Sequence, residues 1–262
     1  MHPVLFEIGS VNIYSYGVCI AIGAIAGVWY MAVRGKKELG LAFDQANNLF
    51  LIIFIAAFVG GKLFLFFEDP SGYAKNPMKL LGGRGFVFYG SFLLAIPTML
   101  WFFRKNKLNP YQMLDIMAIT TCLVHMFGRI GCFMAGCCHG TPTSSIFGVT
   151  YFDPACSADP LNVPLHPTQL YESAFIGLVM VYLFYLRGRK KFNGQLFLTY
   201  LFLYGIGRFA LEYLRGDLAR GFIIEDILSH SQFIALVILA VVAWVYVRWS
   251  KQNVIPVAQR TK

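Results

Sequence analysis

Seven apolar stretches, each close to the roughly 20 residues that cross a hydrocarbon layer, take up most of the chain. They lie at about 14–33, 48–67, 86–103, 111–128, 168–186, 195–214 and 230–249. Inside lipid every backbone polar group must be paired within the chain, so apolar runs of this length default to helix. The expected fold class is an all-α integral membrane protein with about seven transmembrane helices. The stretch at 86–103 is short and holds Pro97, and the one at 111–128 is interrupted by Asp115 and His125. Charged residues make up 13% of the chain, against about 25% in a soluble domain. That scarcity excludes a disordered chain, a coiled coil and an ordinary soluble enzyme.

Charge placement sets the expected orientation. Basic clusters follow alternate spans: Arg34, Lys36 and Lys37; Arg104, Lys105 and Lys107; Arg187, Arg189, Lys190 and Lys191; and Arg248, Lys251, Arg260 and Lys262. The other connections carry only Lys75, Lys79, Arg84, Arg215 and Arg220. Positive loops stay cytoplasmic, which puts the N-terminus outside and the C-terminus inside, as an odd number of spans requires. Residues 1–13 lack a basic start, so no cleavable signal peptide is expected. The net charge of +9 is thereby assigned to cytoplasmic loops, and no nucleic-acid partner is called for. The chain reads as one membrane-embedded domain over 1–262, with a small extracytoplasmic head formed by the long polar connection at 129–167.

Three basic residues remain within or at the edge of spans: Lys62, Arg129 and Arg208. Intramembrane charges are costly and mark functional sites by default, with snorkelling to the interface as the bland alternative. Tyr204, Arg208 and Glu212 are spaced i, i+4, i+8 and share one helix face. Arg208–Glu212 is either an internal ion pair or part of a polar cavity, and the cost of such a stripe near the outer leaflet favours the cavity. The segment Gly128-Arg-Ile-Gly-Cys-Phe-Met-Ala-Gly-Cys-Cys-His-Gly140 is the densest constellation. Its glycines let backbone approach a ligand and leave N–H groups for an anion, and Arg129 adds a forked positive charge. The bland reading is a helix end followed by a glycine turn.

Cys132, Cys137, Cys138 and His139 crowd into this segment, with Cys156 and His166 further along the same connection. Three readings stay open: a structural disulfide in an outward-facing loop, a metal site, and a reactive thiol or thiol pair with a pKa lowered by His139 or Arg129. Adjacent ligands at 137, 138 and 139 fit the usual zinc spacings poorly, so no metal and no cofactor is expected. Cys19 and Cys122 read as small apolar fillers. His166-Pro-Thr-Gln-Leu-Tyr-Glu172 opens the fifth span, with Thr168 at the N-cap position and His166 and Glu172 as further acid–base groups.

Taken together these pieces resemble the prolipoprotein diacylglyceryl transferase family. The resemblance runs in order along nearly the whole chain: Tyr16-Gly17, Gly60-Gly61-Lys62, Phe88-Tyr-Gly90, Gly128-Arg-Ile-Gly131 with Gly140, His166 to Glu172, Tyr204 through Arg208 and Glu212 to Arg215, and Ser231-Gln232. It implies an enzyme of the bacterial inner membrane, multi-pass, with its site toward the outer leaflet. Such an enzyme moves the diacylglyceryl group of phosphatidylglycerol, or a related anionic phospholipid, onto the lipobox cysteine of a lipoprotein precursor. The family signature carries Asn, Asn and Glu where this chain has Cys132, Ala135 and Cys137, and commonly a histidine, proposed as a base, where this chain has Tyr89.

The expected phospholipid-binding residues are Arg129, Arg208, Tyr204, Gly131, Gly140 and Tyr89. The expected catalytic residues are His139, Cys132, Cys137, Tyr16 and Glu212. With the family histidine gone, His139 is the first candidate to take the thiol proton, Glu212 a weaker one, and His166 a stabiliser of the loop. A divergent phospholipid-dependent transferase with another acceptor fits the same residues. A membrane thiol–disulfide oxidoreductase built on the cysteines is the alternative. A transporter is a third, but its charges belong near the midplane and here they cluster toward one side.

Overall fold

The computed structural model describes residues 2–9, 11–75, 87–216, 222–224, 228–252, 254 and 255. Lys79, Arg84, Arg220, Arg260 and Lys262 of the charge argument lie outside them. The protein is mostly helical. A short hairpin of β1 (Val4–Ile8) and β2 (Val11–Tyr14) leads into α1 (Ser15–Leu39). There follow α2 (Phe43–Glu68), the single-turn α3 (Pro70–Lys75), α4 (Phe88–Lys105) and α5 (Pro110–Ala135). Then come the strand pair β3 (Val149–Thr150) and β4 (Pro164–Leu165), α6 (Thr168–Arg187), α7 (Gln195–Leu211) with a 3₁₀ turn at Glu212–Leu214, β5 (Phe222–Ile224), β6 (Leu228–Ser229) and α8 (His230–Gln252).

The seven long helices coincide with the seven apolar stretches. Five of them, α1, α2, α5, α6 and α8, are long and apolar enough to cross a membrane. The 17 residues of α7 rise only about 25 Å at 1.5 Å each, and α4 has 18 residues with Pro97 inside. The main departure from the sequence reading is at α5, which runs to Ala135 rather than stopping near 128. Arg129, Gly131 and Cys132 therefore stand on a helix and not in the long connection, which begins at Gly136. Arg129 and the glycines lower the apolar content of those residues, but none of them prevents helix when the neighbouring helix covers them.

The chain forms two compact units, residues 1–30 with 114–262, and residues 31–113. In the second, α2 and α4 cross at Gly60 and Gly90, where each backbone carbonyl occupies the place a side chain on the other would need. Small residues at such crossings let membrane helices approach closely. The first unit holds the long connection and the C-terminal helices. The connection has its own apolar cluster of Tyr151, Cys156, Ala158 and Leu165, with Val149, Leu161 and Val163 packed against it. In α7, Gly207 accepts the ring of Phe175 from α6, and Gly205 accepts Leu239 from α8.

Asp115, read in sequence as a weakness of its span, is a structural anchor. It is 1% exposed. Its Oδ1 accepts the backbone N–H of Leu196 at 2.8 Å, and Oδ2 accepts the N–H of Gly194 at 3.0 Å. Lys190 Nζ pairs with Oδ2 at 3.0 Å. One carboxylate thus satisfies the otherwise unpaired amides at the start of α7 and complements its positive end. Removing it strands a half-buried cation and three amides, that of Phe197 at 3.3 Å being the third. Asp115→Ala is expected to cost about 3 kcal/mol or more, read as a lowered thermal midpoint in detergent. Asp115→Asn, which keeps an acceptor, should lose less. Equal midpoints for all three proteins would refute this role.

Candidate active site

The face of α5 that carries His125 and Arg129 meets α6 at Glu172. Glu172 is 2% exposed and its Oε1 is the focus of three contacts. Arg129 Nη2 lies at 2.9 Å, His125 Nε2 at 3.4 Å, and the Tyr204 hydroxyl donates from α7 at 3.3 Å. His125 Nδ1 is 3.3 Å from the Tyr200 hydroxyl, and Tyr200 stacks on Tyr204. Glu172 occupies one nitrogen of Arg129. Arg129 Nε is buried with no hydrogen-bond partner among the described residues.

A second ionic centre sits at the end of α7. Arg208 Nη1 pairs with Glu212 Oε2 at 2.6 Å, and Arg208 Nη2 donates to Ser231 Oγ at 3.3 Å. Ser229 Oγ donates to Glu212 Oε1 at 3.0 Å. Ser229 also caps α8: its N–H donates to Gln232 Oε1 at 3.0 Å while its Oγ accepts the Gln232 N–H at 3.1 Å. This reciprocal pair is a capping box, and it holds Ser231 where Arg208 reaches it. Arg208 is within electrostatic reach of Glu172, and both arginines act on Tyr204, so the two centres are joined. A hollow of about 650 Å³ between α7 and α8 is lined by apolar residues such as Leu198, Phe202 and Val242 and by none of these charges.

The glycine segment is built differently from its sequence reading. It is a helix C-terminus. Its amides are used internally: Gly136 N–H to Phe133 O at 3.2 Å, Cys137 N–H to Cys132 O at 3.1 Å, and Gly140 N–H to His166 O at 2.8 Å. They are not open to an anion. Gly131 instead admits α1, since a side chain there would meet Tyr16 Cδ2 at 3.1 Å and Cys19 Cβ at 3.2 Å. Tyr16, on the first turn of α1, is brought beside the cysteines by this approach. Gly140 is wedged between His166, Thr168 and Leu214. Thr168 Oγ1 donates to Cys138 O at 2.9 Å and Gln169 Nε2 to Cys137 O at 2.7 Å. Thr168 therefore ties down the loop rather than capping its own helix.

The turn after α5 folds Cys137 and Cys138 back over Cys132. All three Sγ atoms lie within 4.8 Å of one another, with Gly136 at φ 76° and Cys138 at φ 62°. The spacing that fits zinc poorly is the one that takes His139 as a ligand. The structure replaces that set with three thiols and leaves His139 out. Hydrogen bonds from the Cys132 and Cys137 thiols, then the charges of Arg215 and Arg129, hold Cys138 well below the usual thiol range. Cys156 is elsewhere, in the apolar cluster of the connection.

His139, expected to take the thiol proton, has both ring nitrogens engaged. It is 7% exposed, its Nδ1 donates to Gly140 O at 2.9 Å, and its Nε2 accepts the Asp159 N–H at 3.3 Å. No lone pair remains for a substrate proton. His166 holds the loop through its backbone, its N–H donating to Thr141 O at 3.0 Å. Tyr89 is exposed on the first turn of α4, in the other compact unit. His125 was missed as a site residue. Its spacing of four from Arg129, which puts both on one helix face, was the available signal.

The sequence model of the prolipoprotein diacylglyceryl transferases matches residues 3–248. A phosphatidylglycerol–prolipoprotein diacylglyceryl transferase of Clostridium tetani is 37% identical over 247 residues, covering 94% of this chain and 97% of that protein. One from Clostridium perfringens is 35% identical, covering 91% and 92%. One from Dehalococcoides mccartyi is 30% identical, covering 91% and 90%.

The glycine geometry separates two substitutions of the same kind. At Gly140 an added methyl meets His166 Cβ at 2.6 Å and Thr168 Cγ2 at 2.8 Å, whereas at Gly128 it meets nothing within 4 Å. Gly140→Ala is expected to destabilise by about 1–3 kcal/mol and to open the loop to protease. Gly128→Ala, on a helix, should be neutral or up to about 1 kcal/mol stabilising. Thermal midpoints and limited proteolysis measure both, and a tolerant Gly140 would overturn the wedge.

Proposed function

The chain belongs to the prolipoprotein diacylglyceryl transferase family, and from that premise we propose that it transfers the diacylglyceryl group of phosphatidylglycerol to the lipobox cysteine of a lipoprotein precursor. It acts from seven spans of the bacterial inner membrane, with the N-terminus outside, the C-terminus cytoplasmic, and the connection after α5 forming a small head at the outer leaflet. The acceptor sulfur attacks the terminal glyceryl carbon. The carbon–oxygen bond to phosphate breaks, glycerol phosphate leaves with the electron pair, and the acceptor loses its proton as the thioether forms.

The observation that carries this reading is the pair of half-buried guanidiniums, each held by a carboxylate, on adjoining helices of otherwise apolar sequence. The leaving group is an anion in a water-poor site, where a positioned cation contributes most. Arg129 offers its spare Nε, while Glu172 fixes the plane of its fork. Arg208 is fixed in the same way by Glu212 and Ser231. Tyr204 bridges the two centres, and Tyr16 lies on the acceptor side. Gly131 and Gly140 act through packing. The thiol–disulfide oxidoreductase and the transporter leave this pair of arginines without a task.

The loop thiols are not a covalent way-station. A diacylglyceryl group moved to Cys132 or Cys137 would be held by a thioether, which carries no leaving group with which to pass it on.

Arg208→Ala is expected to lower turnover by roughly 30- to 1000-fold, the loss of a phosphate contact of about 2–4 kcal/mol, with the fold retained. Arg208→Lys should also be impaired, because a lysine cannot make a forked contact. The assay follows labelled phosphatidylglycerol and a lipobox peptide and quantifies both lipidated peptide and glycerol phosphate. Near-normal turnover in Arg208→Ala would defeat the assignment.

A further inference from the structure

If the chain alkylates a thiol, something must remove that thiol's proton. The titratable groups of the ionic network are already engaged. His139 uses both ring nitrogens. His125 faces Glu172 with Nε2 and Tyr200 with Nδ1. Glu212 is shared between Arg208 and Ser229. Beside this network lie three thiols whose chemistry the anion site does not use.

These thiols form a built cluster. Cys132 lies on the last turn of α5, and the turn that follows returns Cys137 and Cys138 to it. The left-handed backbone at Cys138, a conformation a non-glycine residue seldom adopts, turns its side chain into the cluster. Gln169 and Thr168 of α6 clamp the carbonyls of Cys137 and Cys138, so the loop cannot drift. A tetrahedral zinc with bonds of about 2.3 Å sets its sulfur ligands about 3.8 Å apart. The sulfurs already lie within 4.8 Å, and small side-chain rotations close the difference. An all-sulfur set selects a soft d¹⁰ cation over magnesium or calcium. Three protein ligands with a fourth position left for substrate is the pattern of a catalytic zinc. His139 cannot fill that position, and the three cysteines are only half-buried, so the cluster has an open side.

We propose that Cys132, Cys137 and Cys138 hold a zinc ion whose fourth position takes the acceptor cysteine as its thiolate. This rests on the transferase reading and supplies its missing proton acceptor. A thiol that coordinates such an ion is deprotonated outright. The acceptor proton passes to water as the sulfur–zinc bond forms. A sulfur lone pair then attacks the glyceryl carbon, and the carbon–oxygen bond breaks toward the phosphate. The thioether product, a weak ligand, leaves the ion on its three thiolates, and no oxidant or reductant is consumed. Geometry favours this path. Cys132 stands three residues beyond Arg129, on the same face of α5, which sets the activated sulfur beside the guanidinium that receives the leaving group. The charges of Arg129 and Arg215 reach the cluster and offset the excess negative charge of three thiolates on a divalent ion.

The test uses the full chain, purified in detergent under reducing, oxygen-free conditions, stripped with a chelator and titrated with cobalt. The expected result is one cobalt per chain with the visible and charge-transfer bands of a tetrahedral thiolate site. Those bands change when a lipobox peptide is added and stay unchanged with its Cys→Ser version. Cys137→Ser should lose the bands, and Cys137→His should shift them while keeping the ion. The stripped protein should transfer diacylglyceryl at least about a hundredfold more slowly, the usual worth of a positioned proton acceptor, and zinc should restore it. A reduced chain that binds no cobalt, a spectrum indifferent to the acceptor thiol, or an undiminished rate after stripping would each overturn the proposal. Bands that answer to the peptide while labelled phosphatidylglycerol is never consumed would uphold the thiol site and refute the lipid reading on which its role rests.

Discussion

A carboxylate buried between membrane helices is tolerated only when its neighbours neutralise it. Glu172 is such a group, and much of the site depends on it. Charges in apolar segments are expensive and must be paired, and a pair broken by loss of one partner leaves the other uncompensated. Glu172 faces Arg129 and His125 from α5 and Tyr204 from α7. The carboxylate therefore fixes the relative rotation of three helices. Slip any one by a residue and a cation faces lipid. The same contact orients the Arg129 fork, so that what stabilises the helix packing also aims the group proposed to meet phosphate.

The arrangement repeats at the other end of the first unit. Asp115 gathers Lys190 and the first amides of α7, and Glu212 gathers Arg208 and Ser229. α7 is thus held by a carboxylate at each end and by glycines along its length, where Phe175 and Leu239 enter. In lipid, packing of small residues and satisfied polar groups replace the hydrophobic drive that assembles soluble helices. A helix too short to span by itself is fixed in this way by its neighbours.

Much of this was legible in the residues. The helices lie where apolar run length put them, because lipid leaves no other structure for such runs. Arg208–Glu212 was legible because i, i+4 spacing is local geometry. Arg129–Glu172 was not, since its partners come from different helices and no periodicity links them. His125 looked like a flaw in a span until its neighbour across the bundle was known, and Asp115 likewise. His139 looked free because sequence does not show that its two nitrogens face Gly140 and Asp159. The end of α5 was placed too early because apolar content falls before the hydrogen-bond ladder does.

That helix end also decides which charge the glycine segment suits. A phosphate-binding glycine loop works at a helix N-terminus, where amides point outward and the dipole is positive. Gly128 to Gly140 is the opposite end, where carbonyls point outward and the dipole, about half a charge, is negative. Backbone there repels an anion and attracts a cation. On the proposed reading, phosphate binding rests on the side chains of Arg129 and Arg208, each held by a carboxylate. The cysteines occupy the position the dipole prepares for a positive ion, with Cys132 on the last turn and Cys137 and Cys138 just past it. On the proposed reading one helix terminus serves both halves of a displacement: an arginine a turn inside it for the departing phosphate, and soft ligands at its tip for the incoming sulfur.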